Sequence, residues 1–248
     1  MNNIIEIKNL KKIYHTKDKE ILAVENLTLN IKEGEFIGIV GPSGCGKSTI
    51  LSVLCGLEEK SGGNINIKKG SKIGYMLQQD SLFEWRNILN NCLLGLEINN
   101  NLNDDSKKRV LNLLEDYGLK DFIYSYPDNL SGGMRQRVAL IRTLANNPNL
   151  LLMDEPFSAL DYQSRLAISD DIYNILKKEK KTMIMVTHDI AEAISMCDKV
   201  IVLSNRPATI KSIYEINLEN KTTPINNRKD KNFSYYYDKI WKDIDFHV

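Results

Sequence analysis

The feature that most constrains this chain is a glycine-rich segment at residues 41–49, which reads Gly-Pro-Ser-Gly-Cys-Gly-Lys-Ser-Thr. It follows the apolar run 36–40, which is typical of a buried parallel strand, and it opens a predicted helix at residues 47–55. Glycines allow successive backbone N–H groups to turn inward at a helix N-terminus, where the helix dipole also favours an anion. The order of strand, loop and helix therefore predicts an α/β fold that binds phosphate.

The polar side chains of this loop predict how a triphosphate and its metal bind. Lys47 is expected to reach the β- and γ-phosphates, and the Ser48 hydroxyl is expected to ligate Mg²⁺. The loop residues that we predict to contact the nucleotide are Gly41, Ser43, Gly44, Cys45, Gly46, Lys47, Ser48 and Thr49.

A second apolar run, residues 150–153, ends in the adjacent carboxylates Asp154 and Glu155. Acidic pairs at strand ends are often solvated turns, but downstream of a phosphate loop a catalytic interpretation is favoured. We expect Asp154 to hold the magnesium and Glu155 to polarise the attacking water in an in-line phosphoryl transfer.

Hydrophobic patterning predicts the rest of the core. Residues 4–13 and 21–31 alternate between apolar and polar, which indicates an antiparallel edge sheet with one wet face. Strands that alternate with helices indicate a three-layer α/β core. The further strands are predicted at residues 150–153, 182–187 and 199–203, and helices at residues 161–178 and 190–196.

The pattern changes between Asp80 and Asn147, where residues 88–96, 104–117 and 132–145 show helical spacing. We interpret this stretch as a helical lobe inserted into the core. The tail is expected to be a mobile link at residues 217–231, followed by a helix at residues 235–246 with Tyr237, Ile240, Trp241 and Ile244 on its apolar face. The whole chain is then one domain: a core at residues 1–79 and 146–216, a lobe at 80–145 and a tail at 217–248.

Composition narrows the class of protein. A hydrophobic fraction of 42% with 26% charged residues is that of a globular chain and not of a fibrous or disordered one. The net charge of +1 supplies no global field for a nucleic acid, so no nucleic acid is expected as a partner.

The chain also lacks a secretory signal pattern and a run of ~20 apolar residues, which predicts a cytosolic protein that does not itself span a membrane. The four cysteines lack C-x-x-C spacing and are expected to be free and mostly buried: Cys45, Cys55, Cys92 and Cys197.

Residues 130–137 read Leu-Ser-Gly-Gly-Met-Arg-Gln-Arg. On its own, Ser131 before two glycines could be only the N-cap of a helix, although such a terminus also binds anions. Together with the earlier motifs, in this order, the stretch resembles the signature Leu-Ser-Gly-Gly-Gln of the ATP-binding cassette (ABC) ATPases. The resemblance covers residues 1 to about 215. It implies a P-loop NTPase (RecA-like) core with an antiparallel β subdomain and an inserted α-helical lobe.

The resemblance implies roles for several more residues. Tyr14 matches the aromatic residue that stacks on adenine, although a strand aromatic can also fill the core. Gln78 matches the Q-loop glutamine, which meets the metal and the attacking water and links them to the helical lobe. The segment 158–161, which ends in Asp161, resembles the D-loop at the subunit boundary. His188 matches the switch histidine that senses the γ-phosphate, whereas His15 and His247 match no motif.

In this family, ATP lies between the phosphate loop of one subunit and the signature of its partner. The resemblance therefore implies ATP and Mg²⁺ as ligands and a dimer, with a homodimer expected. The cross-interface contacts to ATP are expected from Ser131, Gly132, Gly133 and Asp161.

A finer resemblance, at residues 85–91, 94–97 and 203–207, is to importer ATPases of the nitrate, sulfonate and taurine group, which also includes carriers of thiamine-precursor pyrimidines. Glu84 stands where that group usually has proline. The resemblance implies a membrane permease partner, an extracytoplasmic solute-binding protein acting indirectly, and a location on the cytoplasmic face of the membrane. Phe83 and Trp85 either form a groove for the permease or pack inside the lobe.

Three other functions are considered. A lipid or drug exporter ATPase is disfavoured by the Trp85 region and by Arg206-Pro207. A non-transport nucleotide switch usually carries coiled coils or two tandem cassettes, for which 248 residues leave no room. A regulator that does not hydrolyse ATP would be expected to lack Glu155 or His188, and both are present.

Overall fold

A computed structural model describes residues 2–158, 160–219 and 221–244 of the chain. Its strands form one sheet of three and one of six. In chain order they are β1 (Asn3–His15), β2 (Glu20–Lys32), β3 (Phe36–Val40), β4 (Gly62–Ile67), β5 (Ile73–Met76), β6 (Leu150–Asp154), β7 (Thr182–Val186), β8 (Lys199–Leu203) and β9 (Ile210–Glu215).

The helices surround the larger sheet and fill the segment between β5 and β6. In chain order they are α1 (Lys47–Leu54), α2 (Ile88–Ile98), α3 (Asp104–Asp116), α4 (Gly132–Ala145), α5 (Tyr162–Lys178), α6 (Ile190–Met196), α7 (Pro224–Asn227) and α8 (Phe233–Asp243). Two short 3₁₀ turns lie at Lys120–Phe122 and Pro127–Asn129. Within the described ranges, no helix is both long and apolar enough to cross a bilayer.

The smaller sheet has the order β2-β1-β4 and is antiparallel throughout. The pairing of β1 with β2 confirms the antiparallel sheet predicted from residues 4–13 and 21–31. Alternating apolar side chains of β1, such as Ile5 and Ile7, are fully buried on one face. The third strand, β4, was not predicted. It begins with two glycines and carries only Ile65 and Ile67 as apolar residues, so its alternation is too short to stand out.

The larger sheet has the order β5-β6-β7-β3-β8-β9. Its first five strands are parallel, and β9 is antiparallel to β8. The strands predicted at residues 36–40, 150–153, 182–187 and 199–203 are all present, and the predicted α/β class is confirmed. Parallel strands expose their carboxyl ends at one edge of the sheet, where ligands bind in such folds. The phosphate loop and His188 follow two of these ends, and Asp154 is the last residue of a third strand.

Alternate residues of the central strands pack on opposite faces of the larger sheet, so each strand is buried on both sides. Phe36 and Met153 belong to a core that also includes residues of α2 to α6. Ile37 and Leu152 belong to a second core with α1 and the smaller sheet. The result is the three-layer arrangement that the alternation of strands and helices predicts. Three of the cysteines, Cys45, Cys92 and Cys197, are buried as expected, and Cys55 is half-buried.

Residues 80–145 contain α2, α3 and α4, which correspond to the three helices predicted there. Each of these helices starts with a side-chain cap, from Asn87, Asn103 and Ser131 respectively. Such caps satisfy backbone N–H groups that the first turn leaves without partners. The division into core, lobe and tail stays a prediction.

The tail corrects one expectation. The described residues of the stretch 217–231 do not form the expected mobile link, because α7 lies among them and Asn227 is buried against α6. The side-chain amide nitrogen of Asn227 donates to the Ser195 carbonyl at 2.7 Å, and its oxygen accepts from the Thr222 N–H at 2.8 Å. The predicted tail helix is confirmed as α8, with Ile240 and Ile244 buried, Tyr237 partly buried and Trp241 exposed; Phe246 and His247 lie outside the described residues.

We expect Asn227→Ala to lower the free energy of unfolding by about 1–3 kcal/mol, because it removes two hydrogen bonds and leaves the buried Ser195 carbonyl without this partner. Asn226→Ala is the matched control, since the Asn226 side chain is exposed on the same short helix. Urea unfolding followed by circular dichroism measures both. Equal stability of the two variants would show that the tail is not packed as described.

Candidate functional site

The phosphate loop takes its shape from glycines that approach neighbouring backbone closely. Gly46 has φ +126° and is the N-cap of α1. A Cβ on Gly46 would lie 2.9 Å from the backbone oxygen of Ala23, closer than side-chain carbons are found, so only glycine fits. Gly44 has φ +70°, which also favours glycine. The loop residues are thus fixed between the end of β3 and the start of α1.

Lys47 folds back over the loop. Its side chain is buried, and Nζ donates to the Gly41 carbonyl at 2.8 Å and to the Pro42 carbonyl at 2.9 Å. A buried ammonium whose hydrogen bonds go to neutral carbonyls attracts an anion, because an opposite charge compensates its lost hydration far better than a carbonyl does.

Ser48, in the first turn of α1, meets Asp154 at the end of β6. Ser48 Oγ donates to Asp154 Oδ1 at 3.0 Å, and Tyr75 Oη donates to Asp154 Oδ2 at 3.3 Å. Burial raises the pKa of Asp154, and burial together with the Asp154 charge raises the pKa of Tyr75 to about 12. Hydroxyl and carboxylate oxygens are the ligands that Mg²⁺ prefers, so Ser48 and Asp154 fit the predicted metal.

Glu155 is held in an unusual backbone conformation at the end of β6. Its φ is +45°, in the left-handed region, and its N–H donates to the Val186 carbonyl at 2.9 Å. A non-glycine residue in this region is uncommon and clusters at functional sites. Glu155 Oε2 lies 3.1 Å from His188 Nδ1 and 3.3 Å from Gln78 Nε2. His188 and Gln78 therefore contact the same carboxylate oxygen of Glu155, and the three residues predicted to be catalytic lie together.

The position of Gln78 differs in part from the prediction. Its amide contacts Glu155 and, at 3.5 Å, Ser158 Oγ, and the structure does not bring it into contact with the Ser48–Asp154 pair. The contact with Glu155 favours Gln78 over the adjacent Gln79 as the Q-loop glutamine. Its role as a metal ligand stays a prediction.

A groove of about 460 Å³ lies along the phosphate loop and reaches Glu155. Tyr14 lies on its wall, with Oη donating to Thr49 Oγ1 at 3.4 Å and the Lys12 ammonium 4.5 Å from its ring centre. The ring is half-buried and also packs against the second core, so its stacking on adenine stays a prediction. The lining includes Tyr14, Ser43, Gly44, Gly46, Lys47, Ser48, Thr49, Glu155 and Arg206.

Two of the loop residues predicted to contact the nucleotide, Gly41 and Cys45, do not line this groove. Gly41 lies against Leu203 and contributes its carbonyl to Lys47. The Cys45 side chain is buried, and burial raises the pKa of its thiol. Any contact of these two residues with a nucleotide has to come from their backbone.

The signature residues line a second groove, of about 400 Å³, between α4 and α5. Ser131 caps α4 by accepting from the Met134 N–H at 3.4 Å, and Asp161 caps α5 by accepting from the Gln163 and Ser164 N–H groups at 3.1 and 3.0 Å. The two helices approach closely at Gly133. The lining includes Ser131, Gly132, Gly133, Leu160 and Asp161, while Ala159 of the predicted D-loop lies outside the described residues.

The two grooves are separate. Among the residues that the structure describes, none lines both of them. One surface of the chain thus carries the phosphate-loop residues predicted to bind the triphosphate. A different surface carries the signature residues predicted to contact it from a partner chain.

Two residues that contact the site were not predicted from the sequence: Tyr75, which bonds to Asp154, and Arg206, which bonds to the phosphate loop. Tyr75 was not predicted because a tyrosine within a strand usually packs in the core, although its place three residues before Gln78 was a signal. Arg206 was noted only as part of a group resemblance. It reaches Gly44 across 162 residues, which no local pattern indicates.

Known proteins resemble this chain over most of its length. A relative from Bacillus subtilis (strain 168), the "Uncharacterized ABC transporter ATP-binding protein YtlC", is 44% identical over 98% of this chain and 96% of its own length. The "Nitrate import ATP-binding protein NrtD" of Synechocystis sp. (strain ATCC 27184 / PCC 6803 / Kazusa) is 36% identical over 95% of this chain and 93% of its own length.

A solved structure has the same fold. It is described as a dimeric structure of a post-hydrolysis state of the ATP-binding cassette MJ0796 bound to ADP and Pi. It is 31% identical, covers 86% of this chain and 99% of its own length, and aligns with a TM-score of 0.74. Residues 24–158 of the present chain match the family described as ABC transporter. On these matches, and on the site described above, the chain belongs to the ATP-hydrolysing ATP-binding proteins of the ABC transporter family.

Proposed function

We propose that this chain is the ATP-hydrolysing subunit of a solute importer and that it works as a dimer with two ATP molecules at the interface. The observation that carries the proposal is the separation of the two grooves. The triphosphate-binding groove of one chain and the signature groove of a second chain form one complete site, and two chains form two such sites. The relative described as a dimer bound to ADP and Pi supports this arrangement.

Within each site, the residues in and beside the first groove have different roles in binding and hydrolysing ATP. Tyr14 stacks on the adenine, and Lys47 with the loop amides neutralises the phosphate tail. Ser48 and Asp154, with Gln78 as a predicted third ligand, hold Mg²⁺, which when bound offsets charge on the β- and γ-phosphate oxygens. Glu155 accepts a proton from the attacking water, since its carboxylate is the shared partner of His188 and Gln78.

The signature groove of the partner closes the site from the other side. Ser131 and the amides of Gly132 and Gly133 lie at the positive end of α4, where they bind the γ-phosphate. Asp161 lies beside them at the start of α5 and completes the boundary. The dimer closes only when the γ-phosphate is present, because a ligand shifts an equilibrium by its difference in affinity for the two states.

The face that the permease contacts lies next to the Q-loop. Phe83 and Trp85 are 41% and 73% exposed, so they are surface residues and do not pack inside the lobe. Asp80, three residues before Phe83, is bound by Arg135 of α4, whose Nε donates to Asp80 Oδ2 at 2.8 Å. A permease helix that pushes on this surface therefore acts on the signature helix as well as on Gln78.

The transported solute is a small one of the nitrate, sulfonate, taurine or thiamine-precursor type. The relative named as a nitrate import protein and the resemblance at residues 85–91 support this group. Selectivity lies in the permease and in an extracytoplasmic binding protein, so this chain stays on the cytoplasmic face of the membrane through its permease.

Mixing two inactive variants tests whether the sites are shared. Lys47→Ala disables the first groove and Ser131→Arg disables the second, and each variant alone is expected to be inactive. A mixed dimer keeps one intact site, formed by the phosphate loop of the Ser131→Arg chain and the signature of the Lys47→Ala chain. We expect ATP hydrolysis to reappear when the two variants are combined in the presence of the permease.

A mixture of Lys47→Ala with Glu155→Gln is the matched control for this experiment. Both substitutions lie in the first groove, so each site of that mixed dimer carries one defect and no activity is expected. Failure of the first mixture to regain activity, or equal recovery in the control, would contradict shared sites.

A further inference from the structure

Arg206 contacts the phosphate loop from a distant part of the chain. Its Nε and Nη2 donate to the Gly44 carbonyl at 3.1 and 2.5 Å. The guanidinium also lines the 460 Å³ groove beside Tyr14 and Lys47. Two N–H groups of a charged fork on one carbonyl form a stronger contact than a neutral hydrogen bond.

The turn that carries Arg206 is anchored. Ser204 N–H donates to the Thr209 carbonyl at 3.0 Å, and Ser204 Oγ accepts from the Thr209 N–H at 3.0 Å. Ala208 then pairs with β2: its N–H donates to the Ala23 carbonyl at 2.9 Å, and its carbonyl accepts from the Glu25 N–H at 3.0 Å. The arginine therefore projects from a fixed backbone that is tied to the smaller sheet.

The contact with Arg206 holds the peptide unit between Gly44 and Cys45 in the phosphate loop. The Gly44 oxygen is held by Arg206, and the Cys45 N–H of the same peptide donates to the Pro42 carbonyl at 3.3 Å. Gly44 has φ +70°, and glycine tolerates many backbone conformations, so this peptide has little intrinsic resistance to rotation. Without Arg206, the Gly44 carbonyl would lose the charged donor that fixes its direction, and the adjacent loop amides would be less ordered for an anion.

We infer that Arg206 is a positioning residue that holds the Gly44–Cys45 peptide and so prepares the phosphate loop for the triphosphate before it binds. Fixing a loop in its bound conformation raises affinity because less ordering remains to be done on binding. The inference rests on the proposed role of this groove as the ATP site. On this inference, Arg206 strengthens phosphate binding indirectly, by holding the loop, and has no part in binding the nucleoside.

Titration with ATP and with inorganic tripolyphosphate, each with Mg²⁺, tests the inference on the full chain. We expect Arg206→Met to weaken both ligands by the same factor, roughly three- to tenfold, since one hydrogen-bonded contact is lost. Arg206→Lys retains one donor and should recover part of this loss. Tyr14→Leu is the comparison variant for the nucleobase, and it should weaken ATP by a larger factor than tripolyphosphate.

Hydrogen exchange of the ligand-free protein separates positioning from direct contact. If Arg206 positions the loop, Arg206→Met should speed amide exchange at residues 43–48, and Tyr14→Leu should not. Weaker binding without faster exchange would mean that the guanidinium touches the phosphates directly, and it would overturn the inference. Loss of ATP affinity alone, or no loss for either ligand, would also overturn it.

Lys47→Ala in the same titrations distinguishes this inference from the proposed function. If Lys47→Ala loses both ligands while Arg206→Met binds them like the wild type, only the positioning role fails. If Lys47→Ala binds both ligands like the wild type, the groove is not the ATP site.

Discussion

Glu155→Gln is expected to lower ATP turnover by about a hundred- to ten-thousandfold, the range that a general base contributes, while ATP affinity stays close to that of the wild type. The glutamine has the same shape as the glutamate and keeps a polar partner for His188 and Gln78, but it cannot accept the proton of the attacking water. The loss should therefore appear in kcat and not in the dissociation constant of ATP.

Steady-state phosphate release and equilibrium ATP binding measure the two quantities for Glu155→Gln. Glu59→Gln is the matched control, because Glu59 is exposed and lies outside both grooves. Turnover of Glu155→Gln at the wild-type rate would show that another group takes the proton and would remove the role assigned to Glu155.

Lys47→Ala is expected to raise the dissociation constant of ATP by roughly ten- to a hundredfold, the size of a lost hydrogen bond to a charged group. The buried ammonium is the cation that the geometry places beside the loop carbonyls of Gly41 and Pro42. Removing it leaves the loop amides as the remaining donors to the phosphate tail. Fluorescent-nucleotide titration measures the change.

Lys69→Ala is the control for charge, because it removes one positive charge from an exposed turn outside the groove. A loss of affinity that is equal in the two variants would mean that net charge and not the local contact drives binding. Unchanged affinity in Lys47→Ala would contradict the assignment of the phosphate site.

The fold could be predicted from the sequence where burial leaves a strong pattern. β3, β6, β7 and β8 are mainly apolar runs between turns, and β1 and β2, of 13 residues each, alternate over part of their length. β5 has four residues, one of them a glycine, and β9 alternates between half-buried and exposed positions at the edge of the sheet. Neither pattern differs enough from a loop to be recognised without the tertiary contacts.

The tail shows a related difficulty. Residues 217–231 are polar, and polar stretches usually remain solvated. Asn227 overrides this tendency because both ends of its amide find backbone partners in a buried position. Such pairing depends on where α6 lies, and this information is absent from the local sequence.

The candidate site could be predicted residue by residue, but its assembly could not. Gln78, Glu155 and His188 each follow a different strand, and they meet because β5, β6 and β7 are neighbours in the sheet. The sequence predicts that the strands are parallel, whereas their order depends on the packing of the whole domain. The left-handed conformation of Glu155 is likewise a consequence of this packing, since no glycine marks the position.

The central claim is that one chain supplies only half of each ATP site. The most direct test is the mass in solution of the Glu155→Gln variant, measured by light scattering with and without ATP and Mg²⁺. We expect twice the mass of one chain when ATP is bound and the mass of one chain when nucleotide is removed. A single-chain mass at saturating ATP, together with full hydrolysis by the wild type as a monomer, would contradict the claim.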